Sequence, residues 1–313
     1  MTCLNWVIGA GGLLGSAVVR HLVSGGHAVF AGPKVRWGAS EAEADLVRGV
    51  ERLAAESRGG RWQIYWCAGV GVTGSSATSL RTEITRFEAL LGAIKALPQA
   101  IQEYGTLFVA SSAGAVYAGS RGAPFDEYTP VAPLGDYGRA KLAMEDAVHR
   151  FAETSAVRCL VGRIANLYGP GQSLTKPQGL VSHLCLASIK RSPLSVYVPL
   201  DTLRDYIFVD DCAALVVDAC RRLGETNIDR YHTKVLASGR SVSIGALLGE
   251  FRRVVGRRPE IVMGSSPQSA LQSPDLRVRS VVWEDLDRRP TTNLADGIAR
   301  TLEDIRASLV SAA

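Results

Sequence analysis

The sequence predicts an α/β fold, a doubly wound parallel sheet followed by a smaller mixed C-terminal domain. Three observations predict it. Short apolar segments alternate with amphipathic ones between residues 4 and 163, and such alternation lays parallel strands side by side beneath helices on both faces. A glycine cluster separates the first apolar segment from the first helix. After Tyr168 the texture changes, because Gly169-Pro170-Gly171, Pro177, Pro193 and Pro199 interrupt the chain and the alternation fades.

The elements follow in order from local pattern. Leu4 to Ile8 is a short apolar strand, and Leu14 to Ser24 is an amphipathic helix ended by Gly25-Gly26. His27 to Ala31 reads as the second strand. A charged helix from Ser40 to Arg58 carries Leu46, Val50 and Leu53 at helical spacing, and Trp62 to Cys67 is a buried strand. A long helix over Leu80 to Leu97 precedes the strand Thr106 to Ala110. A helix over Asp136 to Glu153 precedes the strand Val157 to Arg163.

Composition excludes several classes. Of 313 residues, 47% are hydrophobic and 21% charged, which does not fit disorder, collagen or coiled coil. No run of eighteen apolar residues is present, so no bilayer span is expected. The first thirty residues lack a basic cluster ahead of an apolar core, so no secretory leader is expected and the predicted location is cytoplasmic. The 35 basic residues, 29 of them Arg and 6 Lys, exceed the 30 acidic ones by five and are spread evenly. A nucleic-acid binder concentrates such charge on one element, so neither nucleic acid nor membrane is an expected partner. The six cysteines form no CxxC and no ligand spacing with histidine. They read as buried thiols of a reducing compartment, and no metal site is expected.

Gly9-Ala10-Gly11-Gly12-Leu13-Leu14-Gly15 follows a strand and opens a helix. Glycines 9, 12 and 15 permit a tight turn, close approach of a pyrophosphate to the helix N-terminus, and close helix–strand packing. The fold class is therefore the Rossmann type. Residues 1–166 form the dinucleotide-binding domain, with 204–240 partly returning to it, and 167–313 form the substrate domain. A NAD site usually closes its second strand on a carboxylate that holds the ribose. Here the strand runs into Gly32-Pro33-Lys34-Val35-Arg36, with no acid before Glu41. Lys34 and Arg36 suit a 2′-phosphate, which favours NADP and leaves NAD open.

Tyr137 and Lys141 lie four residues apart at the start of a helix and share one face. An ammonium beside a phenol, whose ordinary pKa is about 10, favours its ionised form and brings it toward a working pH. Ser111-Ser112-Ala113-Gly114-Ala115-Val116-Tyr117 directly follows a strand, where open α/β sheets bind their ligands.

In these motifs the chain resembles the extended short-chain dehydrogenase/reductases, the nucleotide-sugar epimerase/dehydratase group. The resemblance runs through Arg163-Ile164-Ala165-Asn166-Leu167-Tyr168-Gly169-Pro170 and Arg204-Asp205-Tyr206-Ile207-Phe208-Val209-Asp210-Asp211. It ends with Arg289-Pro290-Thr291-Thr292 before a last helix. It implies a Tyr137 that exchanges a proton with a sugar hydroxyl or ketone while hydride passes to or from nicotinamide, with Lys141 holding the nicotinamide ribose. It also implies cofactor contacts at Ala68 and Ile164, nucleotide-diphosphate contacts at Asn166 and Arg204, and a homodimer paired through helices 80–97 and 136–153. Ala113 stands where members often carry the catalytic Ser or Thr, so Ser112 is the candidate. Gly114 and Ala115 replace the acids that dehydratases and decarboxylases use there. Gln272 stands where an arginine is expected, with Arg277 or Arg279 as substitutes.

These departures leave an NADP-dependent ketoreductase of a nucleotide-linked keto-(deoxy)sugar as the first expectation. The alternatives are a carbon-4 epimerase with tightly bound NAD and a cofactor-binding protein with weakened catalysis. His183, as an added acid, and Lys176, as a phosphate contact, are further substrate candidates, each against a solvated or structural role.

Overall fold

A computed structural model describes residues 3–69, 71, 75–175, 178–225, 229–265 and 272–311. The chain begins with β1 (Leu4–Ile8), α1 (Leu13–Ser24), β2 (Ala28–Val29), α2 (Ala42–Ser57), β3 (Trp62–Trp66), α3 (Ala77–Lys95) and α4 (Gln99–Gln102). It continues with β4 (Gly105–Ser112), α5 (Ala113–Val116), α6 (Asp136–Thr154), β5 (Arg158–Ile164) and β6 (Asn166–Tyr168). Then come α7 (Leu180–Lys190), β7 (Leu194–Val196), β8 (Leu203–Phe208), α8 (Val209–Glu225) and β9 (Tyr231–Leu236). The last elements are β10 (Ser241–Ser243), α9 (Ile244–Val255), β11 (Ile261–Met263), β12 (Asp275–Leu276), α10 (Glu284–Asp287) and α11 (Leu294–Ser311).

Six strands form one parallel sheet in the order β2-β1-β3-β4-β5-β9. The chain first steps outward from β1 to β2, then returns past β1 to β3. The strand order therefore reverses between β1 and β3, and ligands of open α/β sheets bind at the carboxyl ends of the strands at such a point. The strand β9 comes from the C-terminal half and completes the far edge. One face of the sheet packs on α2, α3 and α6 through Leu46, Val50, Phe87, Leu90, Val148 and Phe151. The other packs on α1 and α8 through Val18, Leu22, Cys212, Val216 and Leu223. A separate core joins α7, α9 and α11 to Tyr168 and Phe208. The small sheets are β10-β8-β12, with β6 also paired to β8, and β11-β7.

The predicted second strand is longer than the one observed. Only Ala28 and Val29 pair with β1, although the amide of Phe30 still donates to the carbonyl of Asn5 at 2.7 Å. The chain then turns over the Trp6 indole. A Cβ on Gly32 would lie 2.3 Å from Trp6 Nε1, and one on Gly49 of α2 would lie 2.1 Å from the far edge of the same ring. Only hydrogens fit there, so the loop and α2 clamp the indole between them. No further strand separates β2 from α2, and β2 is the outer edge of the sheet. The segment between the second strand and Trp62 thus holds one helix and no strand.

The third helix starts earlier than its apolar stripe. Ser76 caps it, its hydroxyl accepting from the Ser79 amide at 3.2 Å, and a side-chain cap of this kind satisfies an N–H the helix cannot. Four cysteines are buried and two half-buried, all free. Burial pushes the Cys3 thiol up to about 11 and Cys185 to about 12. Thiols so shifted are poor nucleophiles. Among the described residues no helix is long and apolar enough to cross a membrane, and no group of His, Cys, Asp or Glu is arranged to hold a metal ion.

Candidate active site

The glycine loop lies at the reversal of strand order. Gly9 has φ of +90°, and a Cβ there would lie 2.6 Å from the backbone nitrogen of Ala68, at the end of β3. This position therefore demands glycine twice, for its conformation and for its contact. A Cβ on Gly15 would lie 2.1 Å from the Gly9 carbonyl oxygen, so Gly15 lets α1 rest directly on the turn. Gly12 caps α1 in extended conformation without a side-chain bond. The first amides of the helix, at Leu13 and Leu14, thus face outward without a side-chain acceptor. Uncapped amides at the positive end of a helix are an anion site, and this cradle fits a dinucleotide pyrophosphate.

Tyr137 and Lys141 stand on the first two turns of α6. The helix reaches this place because Gly138 abuts α5, where a Cβ would lie 2.5 Å from the Ala115 carbonyl oxygen. That contact sets Tyr137 beside the segment that begins at Ser112. Tyr137 is half-buried, and its ring centroid lies 5.8 Å from Lys141 Nζ. Lys141 is buried and donates to Glu83 Oε1 at 3.0 Å. Burial pulls the Lys141 pKa down, but the charges of Tyr137 and Glu83 outweigh it and hold the ammonium above the ordinary lysine value.

The two serines differ in fate. Ser111 is buried and donates to Glu145 Oε1. Ser112 is half-buried and its hydroxyl has no side-chain hydrogen bond among the described residues. Behind them Glu145 receives Arg163 Nη2 at 2.7 Å and Nε at 3.1 Å. Arg163 Nη1 in turn donates to the Tyr117 hydroxyl at 2.8 Å, and that hydroxyl donates to the Asp126 carbonyl at 2.6 Å. Every member of this buried network is satisfied, which gives Ser112 a rigid backing. Burial, partly offset by Arg163, pushes Tyr117 up to about 12.

Beyond β5, Asn166 is exposed and its amide donates to the Asp205 carbonyl at 2.9 Å. Arg204 is buried and donates to the Leu203 carbonyl at 2.8 Å and to Gln272 Oε1 at 3.4 Å. Burial pulls the Arg204 pKa down. Gln272, where an arginine was expected, is thus a neighbour of Arg204. Arg277 is chelated by Asp275, at 2.8 Å through Nη2, while Arg279 is exposed with no side-chain partner among the described residues. His183 is half-buried in the first turn of α7. Ile164 ends β5 in the core beside α8. Lys176 lies outside the described residues.

A protein-family model described as "NAD dependent epimerase/dehydratase family" matches residues 6–230. The chain belongs to this family.

Among curated relatives, dTDP-4-dehydro-6-deoxyglucose reductase of Escherichia coli is 25% identical over 64% of this chain and 61% of its own length. The chain therefore matches about three-fifths of that enzyme. The dTDP-glucose 4,6-dehydratase of Neisseria gonorrhoeae is 28% identical over 73% of each chain. The solved UDP-glucose 4-epimerase of Thermus thermophilus, in complex with NAD, has the same fold, with a TM-score of 0.77 at 20% identity. The match covers 98% of this chain and all of that one.

Within this epimerase/dehydratase family member, the loop after β2 holds its two cations differently. Arg36 is not a free cation. Its Nε and Nη2 donate to Asp45 at 2.9 and 2.8 Å, and its backbone amide donates to the same carboxylate at 3.0 Å. Glu41 also lies 3.4 Å from Nη1. Lys34 is exposed and without a side-chain partner among the described residues. Glu83, Glu145 and Asp45 were all missed at the sequence level. Each interrupts the buried stripe of its helix, as Glu83 does between Leu80 and Phe87. A carboxylate in an apolar stripe was the signal available.

Proposed function

We propose that this chain is an NAD(P)-dependent oxidoreductase of nucleotide-linked keto sugars that works as a ketoreductase. The observation that carries it is the pairing of an open Tyr137 with a buried, charged Lys141 beside an unengaged Ser112, with Gly114 and Ala115 following. A bound nicotinamide supplies hydride. Tyr137 donates the proton to the ketone oxygen, Ser112 hydrogen-bonds that oxygen, and Lys141 holds the nicotinamide ribose. Gly9, Gly12, Gly15 and the amides of Leu13 and Leu14 hold the pyrophosphate, with Ala68 and Ile164 lining the same crevice. Asn166 and Arg204 meet the substrate's diphosphate, and His183 faces the sugar side. No second acid follows Ser112 to eliminate water, so reduction needs only hydride and one proton. The reductase named among the relatives supports this choice.

The test is oxidation of NADPH and NADH, followed at 340 nm, with a 4-keto nucleotide sugar. Turnover is expected, and Tyr137→Phe is expected to lower kcat by about 10²–10⁴. Absence of turnover with either cofactor overturns the ketoreductase.

One observation favours a second reading, a carbon-4 epimerase with retained NAD. Asp45 occupies Arg36 and leaves Lys34 alone for a 2′-phosphate. Denaturing the purified protein and assaying the supernatant decides between them. Stoichiometric NAD supports the epimerase; none supports the reductase. We also infer a division near Asn166 between cofactor and substrate parts, and a homodimer through the faces of α3 and α6, checked by light scattering on the eluting protein.

A further inference from the structure

Glu83 is a carboxylate held from two other segments of the chain. It sits on the buried side of α3, is 9% exposed, and accepts from Lys141 Nζ at 3.0 Å and from the backbone amide of Gly71 at 3.2 Å. A Cβ on Gly71 would lie 3.1 Å from the Tyr137 ring, and one on Gly69 would lie 3.0 Å from Glu83 and 3.4 Å from Lys141 Nζ. Gly69, Gly71, the tyrosine and the lysine are thus packed around a single carboxylate. A buried ammonium without a negative partner is strongly disfavoured and tends to lose its proton.

We propose that Glu83 is a positioning residue of the Tyr137–Lys141 pair, holding Lys141 in place and charged so that it can meet the cofactor. This rests on Lys141 contacting the dinucleotide, as set out above. Among the described residues, the charged and titratable groups around Lys141 are few. Tyr137 lies on the same helix, and Glu83 faces it from α3. Glu145, one turn further along α6, is committed to Arg163 of β5 and to Ser111 of β4. Glu83 is therefore the carboxylate in direct contact with the ammonium, and it opposes the effect of burial on Lys141. Lysine has three donors and Glu83 takes one, so Lys141 can bond a ribose hydroxyl without leaving its partner. Without Glu83 the lysine loses its proton at a lower pH, and the cofactor loses that contact there.

The experiment measures the Kd of the full-length protein for NADH and NADPH by their fluorescence between pH 6.5 and 10, for the wild type, Glu83→Gln and Glu83→Met. Affinity in both variants is expected to decline at a pH at least about one unit below the wild-type decline. At pH 10 they should bind at least about threefold more weakly than the wild type, after normalising each to its own value at pH 6.5. Glu83→Asp restores the carboxylate and should recover part of that loss. The two uncharged variants give independent chances of a folded protein, judged by near-ultraviolet circular dichroism. A purely structural role weakens binding equally at all pH, and parallel pH curves for wild type and variants overturn the proposal. A wild type that binds neither dinucleotide overturns the cofactor assignment as well, so the two failures are distinguishable.

Discussion

Tyr137 and Lys141 share a helix face because four residues make about one turn, and that spacing is visible in the sequence. Their surroundings are not local. Lys141 meets a carboxylate 58 residues away, and Arg36 meets one nine residues away on the next helix. Two predictions belong to single residues. Lys34→Ala should weaken NADPH binding about tenfold, the value of one charge-assisted hydrogen bond, and leave NADH binding unchanged; paired titrations of both cofactors check this. The second concerns pH. Arg36 hydrogen bonds pull Asp45 down to about 2, below the ordinary aspartate value of about 3.9. A carboxyl depressed on folding stabilises the native state above its unfolded pKa and loses that effect as pH falls through the folded one. The urea midpoints of wild type and Asp45→Asn should therefore differ by a constant amount above about pH 5 and converge between about 4 and 2.

At the level of elements, the glycine turn and α1 form one unit. The sequence shows the glycines and their order between strand and helix, and the structure shows what each prevents. Gly15→Ala places a methyl 2.1 Å from the Gly9 carbonyl oxygen, a contact with rigid backbone that no side-chain rotation relieves. It should cost about 1–3 kcal/mol of stability, as overpacking does, and weaken dinucleotide binding further by moving the helix N-terminus away from the pyrophosphate. Thermal unfolding and cofactor titration of the same variant check both. Gly11→Ala is the control, because a Cβ there meets nothing within 4 Å. Element boundaries were less legible than element types. The second strand stops at Val29 because the following loop must clear Trp6, and α3 starts at Ala77 because Ser76 caps it. Neither cause is a matter of apolar periodicity.

For the whole molecule, contacts that run back across the chain tie its N- and C-terminal halves together. The strand β9 closes the main sheet beside β5. Asp211 at the start of α8 accepts from the amide and hydroxyl of Thr292, at 2.7 and 3.1 Å. Tyr168 packs so closely on α11 that a Cβ at Gly297 would lie 2.1 Å from its hydroxyl. A ligand held at the carboxyl ends of β1, β3, β4 and β5 should therefore stabilise the molecule as a whole. Addition of the preferred dinucleotide at about 100 times its Kd should add about 2.7 kcal/mol, seen as one upward-shifted unfolding transition. Two separate transitions, with only the first moving, would contradict this coupling.

The alternation of strands and helices, the glycine turn and the Tyr137–Lys141 spacing were all legible along the chain. Each depends on neighbours within a few residues or on the order of elements, and hydrophobic period and motif spacing carry such information. Folding alone decided that Glu83 would hold Lys141, that Asp45 would pair with Arg36, that Ser111 would be buried with Glu145, and that Gln272 would lie beside Arg204. These are encounters between side chains on different elements. A sequence reports which charges exist, but their partners are chosen by packing, where a buried charge must find an opposite one.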